Sequence, residues 1–416
     1  MRYLQRYFFL SIIKGQNIAL ACILLLVSHC CSAQLMAKSD LITPDPASIK
    51  VGAERMEQYL GLLKGKKVAV VVNQTSLVKK TLLVDTLLSQ GIKITKIFAP
   101  EHGFYGTADA GATIKNGKDK NASASITIVS LYGKHNKPTD EDLKGVDIVV
   151  YDLQDVGVRF FTYVSTLHMV MEACAENNKP LIVLDRPDPN GFFVDGPVLD
   201  TNCRSFVGLD PVPIVYGMTP AEYARMLNGE KWLKDGKQCN LTCISVQGYT
   251  HKDLYELPVK PSPNLPNMSA VYLYPSLALF EGTVISVGRG TDTPFQVIGC
   301  PELQNATYTF TPESKQGATD PMYKGQVCHG YDLQQFGTVL MKNYQKLYFF
   351  WLKGTLKDYP DKSKYFNNYF RCLAGTDKLQ KQIEQGMSDD DIRKSWEPQL
   401  TNFKTIRKRY LLYADF

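Results

Sequence analysis

The sequence predicts an α/β fold: a Rossmann-like, doubly wound, mostly parallel sheet, followed by a smaller C-terminal α+β domain. Two observations carry this. Continuous β-branched runs such as Lys67 to Asn73 (KVAVVVN) and Val146 to Leu153 (VDIVVYDL) lack polar alternation, as strands covered on both faces do. Helical-period segments separate these runs from about residue 50 to 250, the alternation that builds a parallel sheet.

The elements follow in order. Met56, Leu60 and Leu63 recur at helical spacing ahead of the first strand. Thr81 to Gln90 reads as a helix with Leu83, Val84, Leu87 and Leu88 on one face and Gly91 as its stop. Ile92 to Phe98 is the next strand, and residues 105–124, rich in Gly, Asn, Lys and Ala, form a loop that walls or covers whatever lies at the sheet's carboxyl edge. Ile126 to Leu131 is a strand, Asp140 to Lys144 a short helix and Tyr163 to Asn177 a longer one with Leu167, Val170, Met171 and Cys174 inward. Pro180 to Leu184 and Leu241 to Val246 are further strands, and Thr219 caps a helix that starts at Pro220 and runs to Asn228. Alternation fades after Pro258, and Pro261 to Asn267 reads as an extended linker. Ser388 and Asp391 suit a capping box in the last hundred residues.

These readings divide the chain into residues 1–33, a signal peptide; 34–48, a flexible lead-in; 49–289, a Rossmann-like catalytic domain; and 290–416, an auxiliary domain. Arg2, Arg6 and Lys14 form a basic start, Ile18 to Val27 an apolar stretch too short for a comfortable membrane span, and Cys31-Ser32-Ala33 a small-residue cleavage site. Export to the periplasm or the extracellular space is therefore expected. A lipoprotein signal using Cys30 or Cys31 is the rival, set back by His29. No stable membrane partner is expected. Removing the three positive residues of 1–33 takes the formal charge from +6 to +3, with no basic run and no aromatic-basic interleaving, so nucleic acid is excluded as a partner. Of the 10 cysteines, Cys22, Cys30 and Cys31 leave with that segment. The seven that remain are odd in number and read as mostly buried thiols with one or two bridges. They offer no clustered pairs for a zinc site, and no metal is expected.

No strand is followed by G-x-G-x-x-G, and neither G-x-x-x-x-G-K-[ST] nor G-x-S-x-G occurs, so no nucleotide cofactor and no serine-hydrolase elbow is expected. Three strands instead end in polar clusters: Glu101-His102; Asp152, Gln154, Asp155 and Arg159; and Asp185, Arg186, Asp188 and Asn190. Parallel strands deliver all three to one edge, where open α/β sheets bind ligands. Any single acid there reads more readily as a helix cap or a salt bridge; Asp155 and Arg159, for instance, sit at helical spacing. The convergence of three clusters favours a site. Glu101, flanked by Phe98, Pro100 and Phe104, is expected to have a raised pKa and to donate a proton, whereas Asp152 and Asp155, beside Arg159, stay ionised. Such a divergent pair of carboxyl groups is the pattern of glycoside hydrolysis. His102 orients Glu101 or binds a sugar. His168 reads as a satisfied core histidine, and Asn264 and Asn267 as turn residues.

The motifs resemble a known family. Pro100-Glu-His-Gly-Phe-Tyr-Gly106 with Asp109-Ala-Gly111, Tyr151-Asp-Leu-Gln-Asp-Val-Gly-Val-Arg-Phe160, Leu184-Asp-Arg-Pro187, Gly196-Pro197, Pro261-Ser-Pro-Asn264, Leu279-Phe-Glu-Gly-Thr283 and Gly288-Arg-Gly-Thr-Asp292 are similar to signatures of the NamZ-type exo-β-N-acetylmuramidases, glycoside hydrolase family 171, formerly a domain of unknown function. The resemblance covers roughly residues 50–416. It implies release of terminal N-acetylmuramic acid from peptidoglycan-derived glycans, with Glu101 as general acid and Asp152 or Asp155 as base or as the group orienting an assisting N-acetyl amide. Substrate-binding roles are expected for His102, Asp109, Gln154, Arg159, Tyr163, Asp185, Arg186, Asn264, Glu281, Arg289 and Asp292, with Arg159, Arg186 or Arg289 clamping the lactyl carboxylate. One local departure is Asp188-Pro-Asn-Gly191-Phe-Phe, where relatives tend toward Asn-Pro and Gly-rich residues. Two other readings use the same residues: a non-catalytic cell-wall sugar-binding protein, and a metal-dependent esterase or amidase built on Glu101, His102 and Asp152.

Overall fold

The computed structural model describes residues 40–112, 117–118, 126–303 and 306–416. The expected signal peptide, and the lead-in up to residue 39, lie outside the described residues. Six parallel strands form the central sheet: β1 (Lys67–Val72), β2 (Lys93–Ala99), β3 (Thr127–Ser130), β4 (Ile148–Asp152), β5 (Leu181–Leu184) and β6 (Leu241–Ile244). Their spatial order is β3-β2-β1-β4-β5-β6, and a short antiparallel segment, Gly117–Lys118, edges β3. The stretch expected as a plain loop, 105–124, thus contributes an edge strand. The order reverses direction between β1 and β4, and the crevice outside the strands' carboxyl ends opens at that switch point.

The unbroken apolar runs have a direct cause. Val68, Val70 and Val72 of β1 enter one core, while Ala69 and Val71 enter the other; Ile148 and Val150 of β4 oppose Val149 and Tyr151 in the same way. Both faces are covered, so neither needs polar residues. Helices α1 (Met56–Leu63) and α2 (Leu83–Ser89) cover one face through Tyr59, Leu63, Leu83, Val84 and Leu87. A short α3 (Asp140–Leu143) precedes β4. On the other face lie α4 (Tyr163–Glu176) and α5 (Pro220–Gly229). Thr219 caps α5 in a capping box with Glu222, and Pro220 opens it, as the sequence indicates.

Helix α6 (Met268–Leu277) has no counterpart in the sequence reading. It is buried from Ser269 to Leu277 and carries Pro275, so it shows neither an amphipathic period nor a clean helix signature. Asn267, expected in a turn, caps it by accepting from the Ala270 amide at 3.1 Å. The segment before it is no free linker: Ser262, Asn264 and Leu265 are buried. A three-stranded antiparallel sheet follows, β7 (Val297–Cys300), β8 (Tyr308–Phe310) and β9 (Cys328–Asp332), in the order β7-β9-β8. Helices α7 (Phe350–Asp358), α8 (Tyr369–Ala374), α9 (Lys378–Glu384) and α10 (Asp389–Lys408) complete it, with Ser388 capping α10. One hydrophobic core runs from Val149 and Leu167 to Trp396 and Phe403, joining the two parts.

Both ends of the described chain are pinned to the N-terminal part. The lead-in expected to be flexible is fixed from Ile42: its amide donates to the Lys252 carbonyl at 2.9 Å and its carbonyl accepts from Leu254 at 2.7 Å. At the C-terminus, Leu412 N–H donates to Glu222 (2.7 Å), His251 N–H donates to the Ala414 carbonyl (2.9 Å), and Tyr413 O–H donates to Asp185 (2.5 Å). The seven cysteines from Cys174 to Cys372 are all free thiols, against the expected one or two bridges. Among the described residues no helix is long and apolar enough to cross a membrane.

Candidate active site

Strand β2 ends at Ala99 and Pro100 closes it. His102 (φ +68°), Gly103 (+77°) and Gly106 (+65°) then take left-handed backbone conformations that turn the chain sharply. Glu101 is thereby set into a cavity of about 250 Å³ beyond the carboxyl edge of the sheet. Its Oε1 accepts from the Gly111 amide at 2.9 Å and its Oε2 from the Thr162 hydroxyl at 2.7 Å. The Tyr132 phenol donates to the same carboxylate; burial first, and then the Glu101 charge, push the Tyr132 pKa up and keep it a donor. The expected apolar flanks are absent, because Phe98 and Phe104 are buried in the two cores on opposite sides of the sheet. Donors surround this carboxylate.

His102 is buried beside Glu101, with Nδ1 2.7 Å from the Ala108 carbonyl. A carbonyl only accepts, so Nδ1 carries the proton and Nε2 is the ring's acceptor when neutral. Burial lowers the His102 pKa, with Glu101 pulling the other way, which favours that neutral form. Across the cavity, Arg289 Nε donates to Glu281 Oε1 at 2.8 Å, and the guanidinium lies 5.0 Å from the centre of the Phe295 ring. Burial opposes the Arg289 charge, but Glu281 outweighs it and the Arg289 pKa is raised. Arg289 is the one Lys or Arg lining the cavity among the described residues, and Glu281 the one carboxylate besides Glu101.

The remaining wall is largely aromatic. Phe160 and Tyr274 meet edge to face at 5.4 Å, Phe161 and Tyr163 at 4.7 Å, and Tyr274 and Phe295 at 5.0 Å. The Tyr163 hydroxyl accepts from Asn73, at the end of β1, at 2.7 Å and donates to the Pro261 carbonyl at 3.3 Å. Asn264 lines the cavity while its Nδ2 donates to the Gly317 carbonyl at 2.9 Å. Of the expected site residues, the cavity thus gathers Glu101, His102, Tyr163, Asn264, Glu281 and Arg289.

The others are placed elsewhere. Asp152 is fully buried in a two-bond pair with Arg186, whose Nε and Nη2 donate at 2.5 and 2.9 Å, so neither faces a substrate. Asp155 is not beside Arg159: it accepts from the Gly157 amide at 2.6 Å and from Tyr216, and burial pushes its pKa up to about 7. It is therefore neither the exposed base nor the permanently ionised acid expected. Arg159 is buried and donates to four backbone carbonyls. Gln154 spans the Asp155 and Pro187 carbonyls, both at 2.8 Å. Asp185 caps α5, accepting from Ala221 N–H and Thr219 O–H at 2.8 Å each; burial pushes its pKa up to about 7. Asp109 accepts from the Thr319 amide at 2.7 Å, and Asp292 pairs with Lys315 outside the cavity. His168 is the satisfied histidine expected: burial disfavours its charge, but Asp210 and Glu172 hold its pKa at about 9. Among the described residues, no three His, Cys, Asp or Glu come together as metal ligands would.

Sequence reasoning missed Thr162, Tyr132, Tyr274, Phe295 and Tyr369. Thr162 lies just past the Tyr151–Phe160 motif and was within reach of an extended reading; Tyr369 comes from α8, where no local signal marks it.

Comparison with known proteins fits this geometry. Residues 68–269 match the model of the exo-β-N-acetylmuramidase NamZ N-terminal domain, and residues 272–413 that of its C-terminal domain. The peptidoglycan β-N-acetylmuramidase NamZ of Bacillus subtilis (strain 168) is 36% identical over 390 residues, covering 86% of this chain and 89% of that protein. Two crystal structures of DUF1343 family proteins from Bacteroides fragilis NCTC 9343 share the fold. One has 41% identity and a TM-score of 0.80, covering 88% of this chain and 99% of its own; the other has 29% identity and a TM-score of 0.74, covering 89% and 100%. With both of its parts matched and its sheet, cavity and strand-end acid in place, the chain belongs to the exo-β-N-acetylmuramidase NamZ family.

Proposed function

We propose that this chain is a glycosidase that releases terminal N-acetylmuramic acid from peptidoglycan-derived glycans, one sugar at a time. The observation that carries the reading is Glu101, presented into a one-sugar cavity by the strand-end turn and oriented there by Gly111, Thr162 and Tyr132. Glu101 gives its proton to the glycosidic oxygen as the bond from that oxygen to C1 breaks; the three donors then stabilise the carboxylate left behind. The departing sugar leaves as an alcohol.

The second acid role passes from Asp152 and Asp155 to Glu281, which activates the water or orients the acetamide that attacks C1. Arg289 is the clamp for the lactyl carboxylate, since Arg159 and Arg186 are committed elsewhere. The aromatic wall takes the apolar face of the ring, and neutral His102 offers Nε2 to a sugar hydroxyl. Residues 1–33 act as an export signal, which places the enzyme in the periplasm or outside the cell with its substrate.

The test is hydrolysis of a chromogenic aryl β-N-acetylmuramide by wild type and by Glu101→Gln. Wild type is expected to release the phenol and the variant to lose roughly 10³-fold or more in kcat with folding intact. Binding without turnover by wild type would turn the reading into a sugar-binding protein, and abolition of turnover by EDTA would bring a metal into it.

A further inference from the structure

The Gly111 amide that donates to Glu101 is tied to the C-terminal part of the chain. Asp109, two residues earlier, accepts from the Thr319 amide at 2.7 Å and from the Thr319 hydroxyl. We propose that Asp109 and Thr319 are positioning residues: their bond sets the Gly111 amide on Glu101 and so fixes the acid for proton transfer. The inference rests on the reading of Glu101 as general acid and extends it to two residues that do not line the cavity.

The turn after Glu101 has two halves. The first braces itself: Thr107 and Ala108 N–H donate to the His102 carbonyl at 3.1 and 3.2 Å, and His102 Nδ1 donates back to the Ala108 carbonyl at 2.7 Å. The second, residues 109–112, is held less. Ala112 N–H donates to the Asp109 carbonyl at 3.2 Å, and a Cβ on Gly111 would meet nothing within 4 Å, so that glycine is not wedged by packing. Beyond Glu101 itself, the hydrogen-bonded tie of this half to another segment among the described residues is Asp109 to Thr319.

Thr319 is a firm anchor. Lys315 and Ala318 exchange two backbone bonds, at 3.1 and 2.9 Å, that close the turn before it. Gly317 (φ +83°), inside that turn, packs on Pro263, where a Cβ would lie 2.3 Å away, and its carbonyl accepts from cavity-lining Asn264 at 2.9 Å. Upstream, Glu313 N–H donates to the Gly290 carbonyl at 2.9 Å, next to Arg289. The segment 313–319 is therefore bonded to the acid's turn, to a wall of the cavity and to the neighbour of Arg289. A carboxylate with two donors on one oxygen makes charge-assisted bonds, stronger than neutral ones. Gly111 and Thr162, one on each oxygen of Glu101, fix the plane of its carboxyl group. A shift of about 1 Å in such a support costs up to about 10²-fold in rate.

The experiment compares Asp109→Ala with Asp109→Asn in the full chain, with urea unfolding checking each fold. Both remove the same charge, so its effect on Glu101 and on the groups around it (His102, Glu281, Arg289, Tyr132, Tyr163, Tyr274 and Tyr369) is common to the two. The Asn side chain keeps an acceptor for Thr319 and Ala does not. On an aryl β-N-acetylmuramide, Asp109→Ala is expected to lose about 10-fold or more in kcat relative to Asp109→Asn, with KM changed less than about 3-fold. A carboxyl group that loses a donor to its ionised form keeps its proton to higher pH, so the basic limb of kcat/KM is expected about half a pH unit higher in Asp109→Ala. Hydrogen exchange of peptides spanning residues 105–112 is expected to be faster in Asp109→Ala and near wild type in Asp109→Asn. Equal kcat in the two variants would overturn the assignment, and so would a fall in kcat with either the basic limb or the exchange unmoved. If wild type cleaves no muramide, the glycosidase reading fails and exchange alone decides the tie: faster exchange confined to Asp109→Ala upholds it, and no difference between the variants sinks it.

Discussion

Arg159 gives the sharpest test of the site assignment, because the structure moves it from substrate clamp to internal tie. Its guanidinium is buried with no carboxylate partner among the described residues, and burial pulls its pKa down to about 10. Nη1 donates to the carbonyls of Pro197 (2.9 Å) and Val212 (2.8 Å), and Nη2 to those of Leu373 (3.0 Å) and Ala374 (2.8 Å), the last two residues of α8. The charge is therefore neutralised by carbonyl dipoles, two of them at a helix C-terminus, where a cation is favoured. Gly375 permits the approach: a Cβ there would lie 2.3 Å from Nη2. Arg159→Met keeps most of the volume and strips four buried carbonyls of their donor. At about 1 kcal/mol each, less the relief of no longer burying a cation, the expected cost is about 3 kcal/mol. Urea unfolding followed by tryptophan fluorescence measures it. Helix α8 carries Tyr369 into the cavity, so a few-fold fall in kcat should accompany the instability. An unchanged urea midpoint with a raised KM would refute the reasoning and restore Arg159 to the substrate.

Other expectations follow from the same geometry. Arg289→Met should shrink the preference for an aryl β-N-acetylmuramide over the glucosaminide, which lacks the lactyl group, by roughly 10- to 100-fold; an unchanged ratio of kcat/KM values would remove Arg289 from lactyl recognition. Asp155 and Asp185, with folded pKa values near 7, keep protons that the unfolded chain loses near pH 4. Their contribution to stability is thus full below about pH 4, falls as pH rises toward 7 and is flat above, so Asp155→Asn should flatten the decline in urea midpoint between about pH 5 and 7. Gly157 has φ +73°, and a Cβ there would lie 2.2 Å from the Asp188 carboxyl; Gly157→Ala should cost about 3 kcal/mol by denaturant unfolding, and a cost below about 1 kcal/mol would show that the turn relaxes.

How much of this was legible in the sequence depended on whether the deciding chemistry was local. Glu101 was legible because Pro100, Gly103 and Gly106 encode the turn that presents it. The sheet was legible because strands buried on both faces have only one kind of residue to use. Asp152 was misread because an acid at a strand end looks the same whether it faces a cavity or a guanidinium, and its partner Arg186 lies just past the end of the neighbouring strand β5. Arg159 was expected to clamp a substrate carboxylate because it sits in a strand-end polar cluster, yet four carbonyls from distant segments claimed it. Helix α6 escaped because a helix buried on every side loses its period, and Pro275 argued against it. Tyr369 and Phe295 reach the cavity through tertiary packing that no single-sequence pattern reports.

The tail that returns to the first sheet carries a consequence for biosynthesis. Asp185 directly follows β5, yet one of its hydrogen-bond donors, Tyr413, lies 228 residues further along the chain. Until Leu412 and Tyr413 emerge, the part that carries Glu101 has a buried carboxyl short of a partner and Glu222 lacks the Leu412 amide. A chain released before Leu412 and Tyr413 are made therefore has an incomplete interior beside its first sheet, with Asp185 and Glu222 each missing a donor.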